Sequence, residues 1–246
     1  VIVARGGVMR AGNRGVFRGP CVPTLQPMAI PADLDHLVFT CADLDAGIAW
    51  AERTFGVRPV RGGAHPQWGT HNALMSLGRE RYLEILAPNP DAPPIGRANE
   101  AGRALFGMRA GMDPAAPPRL TTWMLRTRTI DSLLGAALKV GVDLGRVTGG
   151  SRLRADGSEI SWQIAVPPVR PLEGCVPWLI DWGWSDHPSA AAPQGARLDW
   201  MEVVHPEPER VRAALAAVNC GGVDVRAGRE AAISVGIACP RGVVVV

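Results

Sequence analysis

Leu34–Thr40 reads LDHLVFT, a short apolar and β-capable run, and Cys41–Asp45 (CADLD) follows it directly. The second stretch has the acids that favour the first turn of a helix. Leu44, Ile48, Ala51 and Phe55 then recur at helical spacing, and Gly56 stands where a left-handed residue ends a helix. Beyond it, Val57–Val60 reads as a strand and Gly62–Gly69 as a loop. Ala73–Leu77 and Tyr82–Leu86 read as two further strands about a turn at Gly78. The order is βαβββ.

That order recurs downstream. Leu120–Arg126 (LTTWMLR) reads as a strand, and Thr129–Gly141 as a helix with Ile130, Leu133, Leu134 and Ala137 on one face. Strands follow near Leu144–Val147, Ile160–Val166 and Val176–Trp182. Setting Leu44-Asp45 on Ile130-Asp131 gives an offset of 86 residues, a repeat of pattern more than of identity. A third, partial copy begins with a strand at Leu198–Val204 and a helix at Glu207–Val218. It continues through strands at Val223–Val225 and Ile233–Ala238 and ends in the apolar run Val243–Val246. A short helix is expected near Glu100–Met108. The expected divisions are a disordered N-terminal extension over 1–31, a first βαβββ module with its connector over 32–118, a second over 119–197, and a third, partial βαβ-type module over 198–246. The fold class is α+β.

Composition narrows the function. Over 246 residues, 47% are hydrophobic and 20% charged, as in a globular protein, and no apolar run reaches the roughly 20 residues of a membrane span. Of the +3 formal charge, +4 comes from Arg5, Arg10, Arg14 and Arg18, which leaves −1 for the remainder. A near-neutral body argues against nucleic acid as partner. Five scattered cysteines without a CxxC pair argue for free thiols in a reducing compartment, hence a cytoplasmic location. Motifs for a P-loop, a Rossmann fingerprint, a zincin and a nucleophile elbow are all absent from the sequence.

Isolated ionisable residues in apolar strands carry the chemistry. Strict alternation sets Leu34, His36 and Val38 on one face of the first strand and Asp35, Leu37 and Phe39 on the other. An imidazole there is either a core group bonded to backbone or a ligand or catalyst. Glu84, the one charge in YLEIL, is either solvent-facing or paired or metal-bound. If their strands are neighbours, His36 and Glu84 form a metal-binding pair. Asp181 in Trp178–Trp182 reads as the second-repeat counterpart of Glu84, and Thr122 as that of His36. The 62–72 segment adds His65, Trp68, Thr70, His71 and Asn72 beside glycines that permit close approach of a ligand. His187 and His205, beside prolines, read as surface residues.

Taken as a set, Leu34–Val38, Asp43–Asp45, Gly63–Leu74 and Tyr82–Pro88 resemble the glyoxalase-like group of the vicinal oxygen chelate superfamily. Thr122-Trp123, Gly150–Arg152 and Leu179–Gly183 extend the likeness. The resemblance implies repeated βαβββ modules whose curved mixed sheets surround a pocket, with homodimers common. It also implies a divalent metal between modules, held by a first-strand His and a last-strand Glu. His36 and Glu84 match that pair, Asp181, His65 or His71 would give the third donor, Asp181 standing otherwise as a base, and Thr122 departs from the pattern. Mn, Fe, Zn and Mg all suit such ligands, and a metal-free form is also open. The expected activity is a metal-dependent lyase, isomerase or dioxygenase acting on a small substrate chelated through neighbouring oxygens. Glu84 and Asp181 would be catalytic, and His65, Trp68, Thr70, His71, Asn72 and Thr122 would bind substrate. The alternative is a metal-free protein that sequesters a small molecule behind a wall of Trp68, Trp123, Trp162, Trp178 and Trp182. A weaker expectation makes Val243–Val246 an edge that pairs with another chain.

Overall fold

The computed structural model describes residues 30–93, 96, 100, 103–108, 111–153 and 157–246. The N-terminal extension expected over 1–31 falls almost wholly outside them, as does part of the helix expected at Glu100–Met108.

The first module runs β1 (Leu34–Thr40), α1 (Leu44–Phe55), β2 (Val60–His65), β3 (Thr70–Ser76) and β4 (Tyr82–Pro88). The second runs β5 (Arg119–Arg126), α2 (Ile130–Lys139), β6 (Arg146–Leu153), β7 (Glu159–Val166) and β8 (Trp178–Asp181). Their eight strands form one sheet in the order β2-β3-β4-β1-β5-β8-β7-β6. Each half places its first strand parallel to its last, β1 with β4 and β5 with β8, and the halves meet where β1 and β5 pair antiparallel. Leu37 pairs with Trp123 at that junction, 86 residues on, so the repeat offset is also the axis that relates the halves. The outer edges approach each other: the Arg152 guanidinium on β6 donates to the Gly62 carbonyl on β2. The result is a curled half-barrel.

Alternation along the strands divides the apolar residues between the two sheet faces. On β4, Leu83, Ile85 and Ala87 join the larger core, while Tyr82 and Leu86 face the concave side. The larger core receives Leu44, Ile48, Ala51 and Phe55 of α1, and Ile130, Leu133 and Ala137 of α2. Burial of each large side chain contributes about 1.5–3 kcal/mol. Asp43 caps α1 by accepting from the Ala46 N–H at 2.7 Å, and Gly56 ends it at φ 73°.

The first module departs from the sequence reading in the extent of β2 and in the alternation of β1. The 62–69 stretch continues β2 as far as His65 and only then turns, because pairing with β3 overrides the weak strand propensity of Gly62-Gly63. A bulge between Leu34 and His36 breaks the alternation of β1. Leu34 therefore joins Leu37 and Phe39 in the larger core, and Asp35 comes within bonding distance of His36.

The third unit runs β9 (Arg197–His205), α3 (Pro208–Ala217), β10 (Asp224–Ala227), β11 (Ala232–Cys239) and β12 (Gly242–Val245), with strand order β10-β9-β11-β12. Its first strand lies parallel to the strand just after the helix, not to the last one. It thus repeats the element order of the other two but not their pairing. Leu198, Met201, Val203, Val211 and Leu215 share the larger core with β1, α1 and α2. No helix among the described residues is long and apolar enough to cross a membrane.

Candidate active site

The concave face of the half-barrel opens into a cavity of about 60 Å³, lined among others by His36, His65, Trp68, Thr70, Asn72 and Glu84. On the measure by which one water needs roughly 10–15 Å³, that admits a compact group of a few heavy atoms.

His36 and Glu84 come from β1 and β4, which are hydrogen-bonded neighbours. Their side chains converge, His36 Nε2 lying 3.6 Å from Glu84 Oε2, and both are largely buried. The other Glu84 oxygen, Oε1, accepts from Asn72 Nδ2 at 2.6 Å. Because a carboxylate only accepts, this bond fixes which way the amide faces, and Oδ1 of Asn72 is left buried without a partner. Asn72 Nδ2 also lies 3.5 Å from His65 Nε2, and His65 Nδ1 lies 3.1 Å from the Thr70 hydroxyl. Burial lowers the pKa of His65, with the Glu84 charge acting against that and the Arg152 charge adding to it, so the ring is held neutral. Tyr82 stacks on His36 with centroids 4.3 Å apart and planes 15° from parallel.

Behind His36 lies Asp35, fully buried. Its Oδ1 is 2.6 Å from His36 Nδ1. Its Oδ2 is 3.0 Å from His187 Nε2 and 3.0 Å from Trp182 Nε1. Burial by itself would raise the Asp35 pKa, but hydrogen bonds from His187 and His36, and their charges, outweigh it and hold the carboxyl well below the usual range.

Several expected residues stand elsewhere. Asp181 does not line the cavity: its carboxylate accepts from the Gly183 N–H at 2.8 Å and pairs with Arg128 at 3.3 Å. The register explains why. Val38 pairs with Glu84, and its counterpart 86 residues on, Met124, pairs with Trp178. Trp178, not Asp181, therefore occupies the position equivalent to Glu84. Thr122 does sit where His36 has its counterpart but stays buried beside Val38, outside the cavity lining. His71 alternates away from Thr70 and Asn72, with Arg61, Asp43 and Asp45 among its charged surroundings. Of the expected tryptophan wall, Trp68, Trp162 and Trp182 line the cavity. Trp178 packs behind Phe106, and Trp123 belongs to the larger core. His187 and His205 are not surface residues: His187 reaches Asp35, and His205, 2% exposed, pairs with Glu173 at 2.8 Å. The sequence reading gives Asp35, Tyr82, Arg152, Phe106 and His187 no part in the site, although Asp35, Tyr82 and Arg152 fall in stretches that carry the family resemblance. Chain folding alone brings them there.

A resident metal ion does not fit this donor set. His36 and Glu84 would supply two ligands, but the equivalent second-half positions hold Trp178, which has no lone pair to give, and Thr122, which does not reach. Asn72 turns an N–H toward Glu84, and the Arg152 guanidinium shares the cavity wall. Among the described residues no three His, Cys, Asp or Glu side chains converge as a metal site, whereas protein zinc sites use three or four.

Residues 34–219 match the model of a family described as the glyoxalase-like domain. No curated protein matches the chain. Among solved structures, a hypothetical protein from Staphylococcus aureus is similar at a TM-score of 0.54 and 14% identity, over 80% of this chain and 87% of that one. Methylmalonyl-CoA epimerase from Mycobacterium tuberculosis aligns at a TM-score of 0.37 and 17% identity, over 64% of this chain and 91% of that one. The mirrored modules, their curled sheet and the matched span agree: the chain belongs to the glyoxalase-like domain family and has the vicinal oxygen chelate fold.

Proposed function

We propose that this chain is an enzyme of the isomerase or lyase type that moves a proton next to a carbonyl on a small oxygen-bearing substrate, using Glu84 as base and His36 as its partner. The observation that carries this reading is the state of Glu84. One of its oxygens is tied to Asn72, and the other is turned toward His36 Nε2 inside a cavity walled by Trp68, Trp162 and Trp182. A largely buried carboxylate restrained on one side and open on the other is suited to abstracting a proton. Glu84 Oε2 takes the proton from carbon, the C–H electron pair becomes a carbon–carbon double bond, and the carbonyl π pair moves onto oxygen. Arg152 places positive charge on the same cavity wall, where it offsets the charge that builds on that oxygen. The protonated Glu84 returns the proton to the former carbonyl carbon while the neighbouring hydroxyl proton passes to the charged oxygen, and His36, 3.6 Å away, stands where it shares the proton held by Glu84.

Deuterium incorporation tests the reading. The purified full chain is incubated in D2O with a panel of small 2-oxo acids, 2-hydroxy acids and hydroxyaldehydes, and exchange at carbon is followed by NMR. Exchange is expected with at least one compound, unchanged by dialysis against a chelator, and about 100-fold slower or worse in Glu84→Gln. The aromatic walls favour a second reading, in which the protein holds its ligand without changing it. A panel compound that saturably quenches tryptophan fluorescence but exchanges no faster than in buffer would replace the first reading with the second.

A further inference from the structure

Asp35 is a buried charge to which the proton-transfer reading gives no task. It gathers donors from two distant parts of the chain: His36, its neighbour on β1, and Trp182 and His187 from the segment after β8. Arg126 Nη1 stands 3.8 Å off. The two oxygens divide the work. Oδ1 meets His36, while Oδ2 meets both His187 and Trp182.

The partners' chemistry assigns the protons. His187 Nδ1 accepts the Ser189 backbone N–H at 3.3 Å, so the proton directed at Asp35 is on His187 Nε2. A carboxylate has no proton to give, so the 2.6 Å contact with His36 requires a proton on His36 Nδ1. The nitrogen of His36 that faces Glu84 and the cavity is then Nε2. Asp35 does not carry protons itself, since it is held ionised. Trp182 is both an Asp35 donor and part of the cavity wall, so the same carboxylate ties the orientation of His36 to a segment that lines the cavity.

We propose that Asp35 is a positioning residue: it holds His36 in the form protonated on Nδ1, with Nε2 aimed at Glu84, and anchors the Trp182–His187 segment against that imidazole. The consequence for rate rests on the proton-transfer reading above, whereas the proton position on His36 can be read without turnover.

The test uses the full chain labelled with 15N-histidine and a ring 1H–15N correlation spectrum, with the His36 signals assigned by their loss in His36→Gln. The wild type is expected to show a proton on His36 Nδ1, far downfield as for a short bond to a carboxylate. In Asp35→Asn that signal is lost and proton density moves to Nε2. Exchange at carbon of the panel compound that the wild type exchanges fastest is expected to fall about 10–100-fold, as for loss of other groups that orient a working histidine. A wild-type His36 with no proton on Nδ1 overturns the proposal, and so does an Asp35→Asn spectrum unchanged at His36. If Asp35→Asn fails to fold, the wild-type spectrum alone decides. Absence of carbon exchange in the wild type would remove the enzymatic reading and leave the proton position standing or falling by its own measurement.

Discussion

Glu84 shows how a lone charge persists in an apolar strand. It is 7% exposed, and its stability depends on the Asn72 amide. That amide is in turn held by the absence of a side chain at position 62, where a Cβ would stand 2.3 Å from Asn72 Oδ1. Asn72→Ala is expected to strip a buried carboxylate of its donor and cost about 1–3 kcal/mol in urea unfolding. Gly62→Ala should also destabilise, by pushing the amide off Glu84. The double variant should cost less than the sum, because both changes act on one contact; strict additivity would show that the two residues are not coupled. His36 and Glu84 were legible in the sequence because each is an isolated ionisable group in a greasy run. Asp35 was not, because strict alternation assigns it to the opposite face, and the bulge that moves it depends on pairing with β5. Its partner His187 lies 152 residues away, beyond any local pattern.

Elements were easiest to read where their ends carry their own chemistry. The start and stop of α1 are written in Asp43 and Gly56, and the structure uses both. Gly56→Ala places a Cβ at φ 73° and 3.2 Å from the Pro240 side chain, and should cost about 1 kcal/mol or more. Asp43→Ala removes the cap on the Ala46 N–H and should cost about 0.5–2 kcal/mol. Equilibrium denaturation with an unchanged slope checks both; an effect within a few tenths of a kcal/mol would mean that α1 is held by packing alone. β2 was less legible because glycine-rich strands have little propensity of their own and are defined by the strand beside them. The placement of Asp181 failed for a related reason. Composition showed an acid in an apolar strand, but only the register of β8 on β5 shows which of its residues mirrors Glu84.

At the scale of the whole molecule, one large core joins both modules and the third unit, and it encloses the thiols of Cys41, Cys175 and Cys220. Burial pushes each of the three from an ordinary 9.0 up to about 12. A thiol reagent at pH 8 should therefore label Cys239, which is half-exposed, and spare Cys41, Cys175 and Cys220 until the protein unfolds. Because the unfolded chain loses these protons from about pH 9 and the folded chain keeps them, stability should fall as pH rises from 9 toward 12. Fast labelling of Cys175 in the native state would contradict this. The residue types, their periods and their caps determined the α+β class, the repeated βαβββ order and the isolation of His36 and Glu84, because those follow from interactions within a few residues along the chain. Strand register, the bulge in β1 and the curl of the sheet were decided only by tertiary structure. Each depends on which distant strand supplies the hydrogen bonds, and together they set which polar groups share the cavity.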